Sequence, residues 1–147
     1  MNSSKRILLL GRTSAGKTTL CQRMNHEELK YRKTQTVQII YENMIDTPGE
    51  YLERRNYWGA LMVTSADADI ILFVQSATED GSMFPPAYAS GFAKPIVGVV
   101  TKCDLASAHQ IADAKKHLMM AGTKKLFTVS SITGWGVEDL VRYLDIL

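Results

Sequence analysis

An α/β fold, with a doubly wound and mostly parallel sheet and helices on both faces, is what this 147-residue sequence predicts. Three observations carry the prediction. Short, continuously apolar runs recur along the chain, and strands so evenly apolar suit a sheet buried on both faces. Between them lie helical patterns, and strand alternating with helix is the mark of βαβ units. Finally, a glycine loop ending in lysine and threonine falls where the first strand pattern meets the first helix pattern. That is the edge at which open α/β sheets bind ligands.

In chain order, "RILLL" reads as a strand and "KTTLCQRM" as the helix after it. "TVQIIY" is a second strand, and Asp46 ends another short strand pattern before the helix "YWGALMVTSA". "IILFVQ" is a buried strand, followed by the loosest stretch of the chain, "EDGSMFPPAYASGFAKP", which reads as a loop with one short helix. "PIVGVVT" precedes the helix "SAHQIADAKKHLMMAG", where Gly122 stands as a C-cap glycine would. "KLFTVS" then leads to "GVEDLVRYLDIL", in which Val137, Leu140, Val141, Leu144 and Ile146 or Leu147 follow a core-facing helical spacing.

With 46% hydrophobic residues the chain can build one core, and the expectation is a single compact domain over residues 1–147. Seventeen basic and fifteen acidic residues leave a scattered +2, which gives no electrostatic footprint for nucleic acid. The apolar run Ile7 to Leu10 is too short for a signal-peptide core or a membrane span, and Met1-Asn2 does not permit myristoylation. Cys21 and Cys103 form no CxxC, and His26, His109 and His117 show no ligand spacing, so neither disulfides nor zinc is indicated. A reducing cytoplasm is the simplest compartment.

Gly11, Gly16, Lys17 and Thr18 complete G-x-x-x-x-G-K-T, a match that chance gives a chain of this length about once in two hundred. The glycines let backbone wrap closely around phosphate oxygens, and the helix start points amides and a positive dipole end at them. Gly11, Ser14, Ala15, Gly16, Lys17, Thr18 and Thr19 are the expected cradle. Lys17 would bridge β- and γ-phosphates, and Thr18 would give its hydroxyl oxygen to Mg²⁺. "IDTPGE" then supplies Asp46 for the water shell of Mg²⁺ and the Gly49 amide for the γ-phosphate. In this order the pair resembles the Walker B and switch II element of translation-factor-like GTPases. Twenty-seven residues lie between Thr18 and Asp46, and within them Thr34 and Thr36 compete as a further Mg²⁺ ligand, Thr36 ahead.

"VVTKCDL" presents Thr101, Lys102 and Asp104 after a buried strand. A carboxylate there accepts from both N1–H and the N2 amino group of guanine, whereas adenine offers an acceptor at N1 and nothing at C2. The match is to the [N/T]-K-x-D guanine motif, which makes GTP and GDP the expected ligands. Thr101 in place of the usual Asn removes an amide that ties this loop to the phosphate loop, with weaker nucleotide binding as the expectation. In "TVSSITGWG", Ser130 and Ser131 stand where an S-A-K loop meets the base, and the Ser131 N–H could donate to guanine O6. Ile132 replaces the lysine of that motif.

Together the four elements resemble a P-loop NTPase of the Ras-like or translation-factor-like GTPase class. "YRKTQTVQ" with "IDTPGEYLERR" narrows this: the chain resembles the small P-loop proteins of the ethanolamine- and propanediol-utilisation operons, and "VTKCDLAS" resembles the propanediol branch. The resemblance implies association with bacterial microcompartments through a shell or enzyme partner, and the ethanolamine branch implies acetate kinase activity. Glu50 takes the position where Ras-like proteins orient water with glutamine. As an acceptor-only carboxylate facing developing negative charge it slows hydrolysis unless Arg12, Lys33, Arg54 or Arg55 offsets it. Three readings stay open: a slow GTPase switch, a small-molecule phosphotransferase with Arg12 or Lys33 on the acceptor, and a degenerate nucleotide-binding scaffold.

Overall fold

A computed structural model describes residues 5–25, 38–41, 44–49, 52 and 57–147. Six strands form one sheet: β1 (Ile7–Leu10), β2 (Gln38–Tyr41), β3 (Met44–Asp46), β4 (Ile70–Ser76), β5 (Ile96–Thr101) and β6 (Lys125–Thr128). Among the described residues four α-helices accompany them: α1 (Lys17–Met24), α2 (Trp58–Ser65), α3 (Ala108–Met120) and α4 (Val137–Ile146). The strand order is β2-β3-β1-β4-β5-β6, with five neighbouring strands parallel and β2 alone antiparallel to β3. The expected α/β fold is therefore present, and the antiparallel edge is the qualification that "mostly parallel" carried.

The even apolarity of the central strands follows from their position. Along β1, Ile7 and Leu9 enter a core with α1 and α4 (Leu20, Met24, Leu140, Leu144), while Leu8 and Leu10 enter a second core with α2 and α3 (Leu61, Ala114, Leu118). β4 alternates in the same way, Leu72 and Val74 to the first core and Ile71 and Phe73 to the second. A strand with helices on both faces has no solvated side on which to place polar residues.

The stretch after β4 contains one 3₁₀ turn, Tyr88–Gly91. Its aromatic residues fasten it to the sheet: Phe84 stacks on Phe73 at 4.6 Å between ring centroids, and Tyr88 and Phe92 pack at 5.6 and 6.0 Å from the same ring. Amides of Ala87 and Ala89 also donate to the carbonyls of Met120 and Ala121 at the end of α3. That helix stops as expected. Gly122 takes φ +104°, its N–H donates to Met119 O and the Thr123 N–H to Leu118 O, the paired bonds of a Schellman stop. In α4, Val137, Leu140 and Leu144 are buried and Val141 packs against them, whereas Ile146 is exposed, having rotated off the core face.

Candidate functional site

The loops after β1, β3, β5 and β6 gather at one sheet edge, the carboxyl ends of the parallel strands, flanking the point where strand order reverses around β1. The loop from β1 to α1 is built on alternating backbone hands: Ser14 at φ 70° and Gly16 at φ 93° are left-handed. Such alternation curls successive amides into a concave nest for anions. Ala15 N–H closes the turn onto Arg12 O at 3.0 Å. Lys17, in the first turn of α1, is buried and lays its ammonium across the loop, 2.8 Å from Gly11 O and 3.2 Å from Arg12 O. These two carbonyls hold the cation over the nest. Thr18 beside it is buried and Thr19 partly so.

The loop after β3 is drawn onto this nest. β3 pairs with β1 in the register Leu9 to Asp46, and the Thr47 hydroxyl donates to Leu9 O at 2.8 Å. Two residues on, Gly49 lies so close that a Cβ there would collide with the amide nitrogen and Cα of Thr13. Backbone meets backbone at the mouth of the phosphate loop, where a γ-phosphate would lie. Asp46 ends β3, as its motif requires. Thr34, Thr36, Lys33, Glu50, Arg54 and Arg55 fall outside the described residues.

Thr101, at the end of β5, departs from expectation. Its buried hydroxyl donates to Ala15 O at 2.5 Å, so the tie to the phosphate loop expected to be lost with the asparagine amide is made by the hydroxyl instead. Lys102, at φ 61°, reinforces it with its ammonium 2.7 Å from Ser14 O. Asp104 follows, exposed in the 3₁₀ turn Cys103–Leu105. Burial pushes the Cys103 thiol up, and the Asp104 carboxylate pushes it the same way, so this side chain stays protonated at neutral pH.

The loop after β6 is joined to that turn through Cys103 N–H and Val129 O at 3.2 Å. Ser130 closes the loop on itself: its N–H donates to Trp135 O, its carbonyl accepts from Gly134 and its hydroxyl accepts from the Thr133 N–H. It therefore shapes the loop. Ser131 is 7% exposed, and its hydroxyl is buried without a hydrogen-bond partner among the described residues. One contributor lay outside the sequence motifs. Arg23, in the last turn of α1, sets Nε on Ser131 O and Nη2 on Ile132 O, each at 2.5 Å. Its partners lie 108 and 109 positions away, so no local spacing announced it.

Arg12 is the remaining cation of the loop, 43% exposed and 3.7 Å from Glu79, beside a polar hollow of about 580 Å³ that Ser76, Thr78 and Lys102 also line. Among the described residues no three His, Cys, Asp or Glu side chains group as a metal cluster, and no helix is long and apolar enough to cross a membrane. The Thr18 hydroxyl beside the nest is a hard oxygen donor of the kind that suits Mg²⁺ with phosphates.

The profile of the family described as "Ethanolamine utilisation - propanediol utilisation" matches residues 4–146. The chain is 40% identical over 141 residues to the propanediol utilization protein PduV of Citrobacter freundii, covering 96% of this chain and 93% of that one. It is 34% identical over 142 residues to the probable acetate kinase EutP of Escherichia coli (strain K12), covering 95% and 89%. Among solved structures, it superposes on translation elongation factor SelB from Methanococcus maripaludis in complex with the GTP analogue GppNHp, with a TM-score of 0.68 at 21% identity. That match covers 99% of this chain but only 34% of SelB, and at such identity it shows the fold alone, an α/β domain of the P-loop NTPase kind.

Proposed function

The chain belongs to the PduV-EutP family of ethanolamine and propanediol utilisation proteins, and from that premise we propose that it is a guanine-nucleotide-binding switch that hydrolyses GTP slowly with Mg²⁺. The observation that carries the reading is the double tie between base loop and phosphate loop, Thr101 Oγ1 on Ala15 O and Lys102 Nζ on Ser14 O. A phosphate loop alone serves many nucleotide enzymes. One braced by a T-K-x-D turn is spaced for a guanine nucleoside.

In this reading Gly11, Ser14, Ala15, Gly16, Lys17, Thr18 and Thr19 hold the phosphates, with Lys17 on the β- and γ-oxygens. Thr18, Asp46 and Thr36 would hold Mg²⁺, which when bound would offset negative charge on the phosphates. Gly49 distinguishes triphosphate from diphosphate, and Asp104 with Ser131 reads the base. Glu50 orients water as an acceptor, but its charge opposes that of the phosphoryl oxygens and keeps turnover low. The work is carried out by residues 1–147 as one domain in the cytoplasm, beside a microcompartment shell or enzyme partner that the nucleotide-ordered loops engage.

A second reading, phosphoryl transfer to a small carboxylate, is favoured by the relative named a probable acetate kinase, and would need Arg12, half-buried at the edge of the phosphate loop, to leave Glu79 for the acceptor. The two agree on the base, so the base is tested first. Asp104→Asn places a donor opposite the guanine amino group. GTP affinity should fall at least about tenfold, one mismatched polar contact being worth roughly 1–3 kcal/mol, while xanthosine triphosphate, with a carbonyl at that position, improves. A competition series of GTP, ATP and xanthosine triphosphate on both folded proteins reads this directly. Wild type preferring ATP, or a variant with unchanged GTP affinity, overturns the guanine assignment.

A further inference from the structure

The loop after β6 has to present Ser131 to the base without the lysine that usually follows in an S-A-K loop. Ile132 occupies that position and is 61% exposed. What steadies the loop can be read bond by bond. The Ser130 carbonyl is held by the Gly134 N–H at 2.8 Å, which fixes the peptide plane carrying the Ser131 N–H. The next two carbonyls, of Ser131 and Ile132, are held from another element altogether, by the Nε and Nη2 of Arg23. A planar guanidinium donating to two successive carbonyls sets direction as well as distance. Ser131 is thus pinned on both sides, with its N–H carried on a fixed peptide plane.

Resting on the guanine-nucleotide reading above, we propose that Arg23 is the positioning residue for recognition of the guanine 6-oxo group, acting through Ser131. It sits on α1, the helix whose first turn carries Lys17 and Thr18. One rigid element therefore sets both the phosphate end and the O6 end of the nucleotide, and the distance between them is fixed by about two helical turns of backbone. Asp104 reads the other base edge from the β5 loop and does not depend on Arg23. The two loops are joined at Cys103 N–H and Val129 O, ahead of the carbonyls that Arg23 holds, so the groups that meet the two base edges have separate last contacts.

That separation supplies the test. 6-Thio-GTP keeps N1–H and the N2 amino group but replaces the 6-oxo acceptor with sulfur, a weak acceptor. Inosine triphosphate keeps the 6-oxo group and lacks the amino group that Asp104 accepts from. Affinities for GTP, 6-thio-GTP, inosine triphosphate and ATP are measured on wild type, Arg23→Ala and Arg23→Lys, with folding checked by circular dichroism and thermal melting. Arg23→Ala should weaken GTP about tenfold, the effect of losing one charge-assisted positioning contact, and bring GTP and 6-thio-GTP to within about twofold of each other. The preference for GTP over inosine triphosphate should survive. Arg23→Lys, which can reach one carbonyl, should fall between, and carries the test if the alanine variant does not fold. Equal loss toward all nucleotides, or an unchanged GTP to 6-thio-GTP ratio, overturns the proposal. Wild type that prefers ATP to GTP overturns the guanine reading itself, an outcome visible before any variant is compared.

Discussion

Thr101 shows how much one hydroxyl can carry. Its oxygen lies 2.5 Å from Ala15 O and 3.4 Å from Gln75 O, and with a single proton the short contact is the bond made. Both Thr101 and Ala15 are buried, so no water replaces that bond if it is lost. Thr101→Val keeps the shape and removes the donor, leaving the Ala15 carbonyl unsatisfied at a cost of about 1–2 kcal/mol. For a chain of this size that should lower Tm by about 3–6 °C. Because Ala15 belongs to the nest, GTP affinity should fall with it, and Thr101→Ser, which restores the proton, should recover both. Calorimetry with a nucleotide titration checks this; a valine variant that keeps both Tm and affinity would mean that the tie is idle.

The phosphate loop and the loop after β3 work as a pair of elements, and Gly49 is where they touch. A Cβ at that position has no space, since backbone atoms of Thr13 occupy it. Gly49→Ala must therefore lift one loop off the other by roughly an ångström, a displacement large enough to disturb hydrogen bonds at the γ-phosphate while the nest beneath is spared. The expected outcome is GTP affinity down about tenfold with GDP affinity nearly unchanged, read by competition against a fluorescent guanine nucleotide; equal loss for both nucleotides would place Gly49 outside triphosphate sensing. Elements of this kind were legible in the sequence because each motif is local. "GRTSAGKT" dictates a nest before a helix, the two-sided burial of "ILLL" dictates a parallel strand, and Gly122 announces the end of α3. Less legible were contacts between elements distant in sequence. Thr101 meets Ala15 across 86 positions, and Arg23 reaches Ser131 across 108, so neither pairing leaves a trace in local spacing. The stretch after β4 read as the loosest segment because Gly and Pro dominate its pattern, yet Phe84, Tyr88 and Phe92 anchor it to Phe73.

At the scale of the whole molecule, two cores on either side of one sheet leave the ligand edge as the place where sequence is free of packing demands. Binding there stabilises the fold by mass action: GTP with Mg²⁺ at a hundred times its Kd adds about 2.7 kcal/mol, an upward shift in Tm of about 8 °C for a chain of this length. Lys17→Ala should abolish that shift, because the ammonium now resting on Gly11 O and Arg12 O is the fixed cation of the nest, while the ligand-free Tm stays within a few degrees. The same pair of proteins decides where the phosphoryl group goes. If the proposed switch holds, with the acceptor-only Glu50 in the water-orienting position, phosphate release should be slow, dependent on Mg²⁺ and abolished by a chelator. It should also be indifferent to acetate, since a second anion brought beside three phosphates gains little unless a cation is set aside for it, and Arg12 is already engaged with Glu79. The measurement follows inorganic phosphate and acetyl phosphate together, with and without acetate, in wild type and Lys17→Ala. Phosphate release unaffected by acetate and lost in the variant supports the switch. Acetyl phosphate accumulating in wild type and absent in Lys17→Ala would transfer the assignment to the carboxylate phosphotransferase, with Arg12 freed from Glu79 as the acceptor's cation.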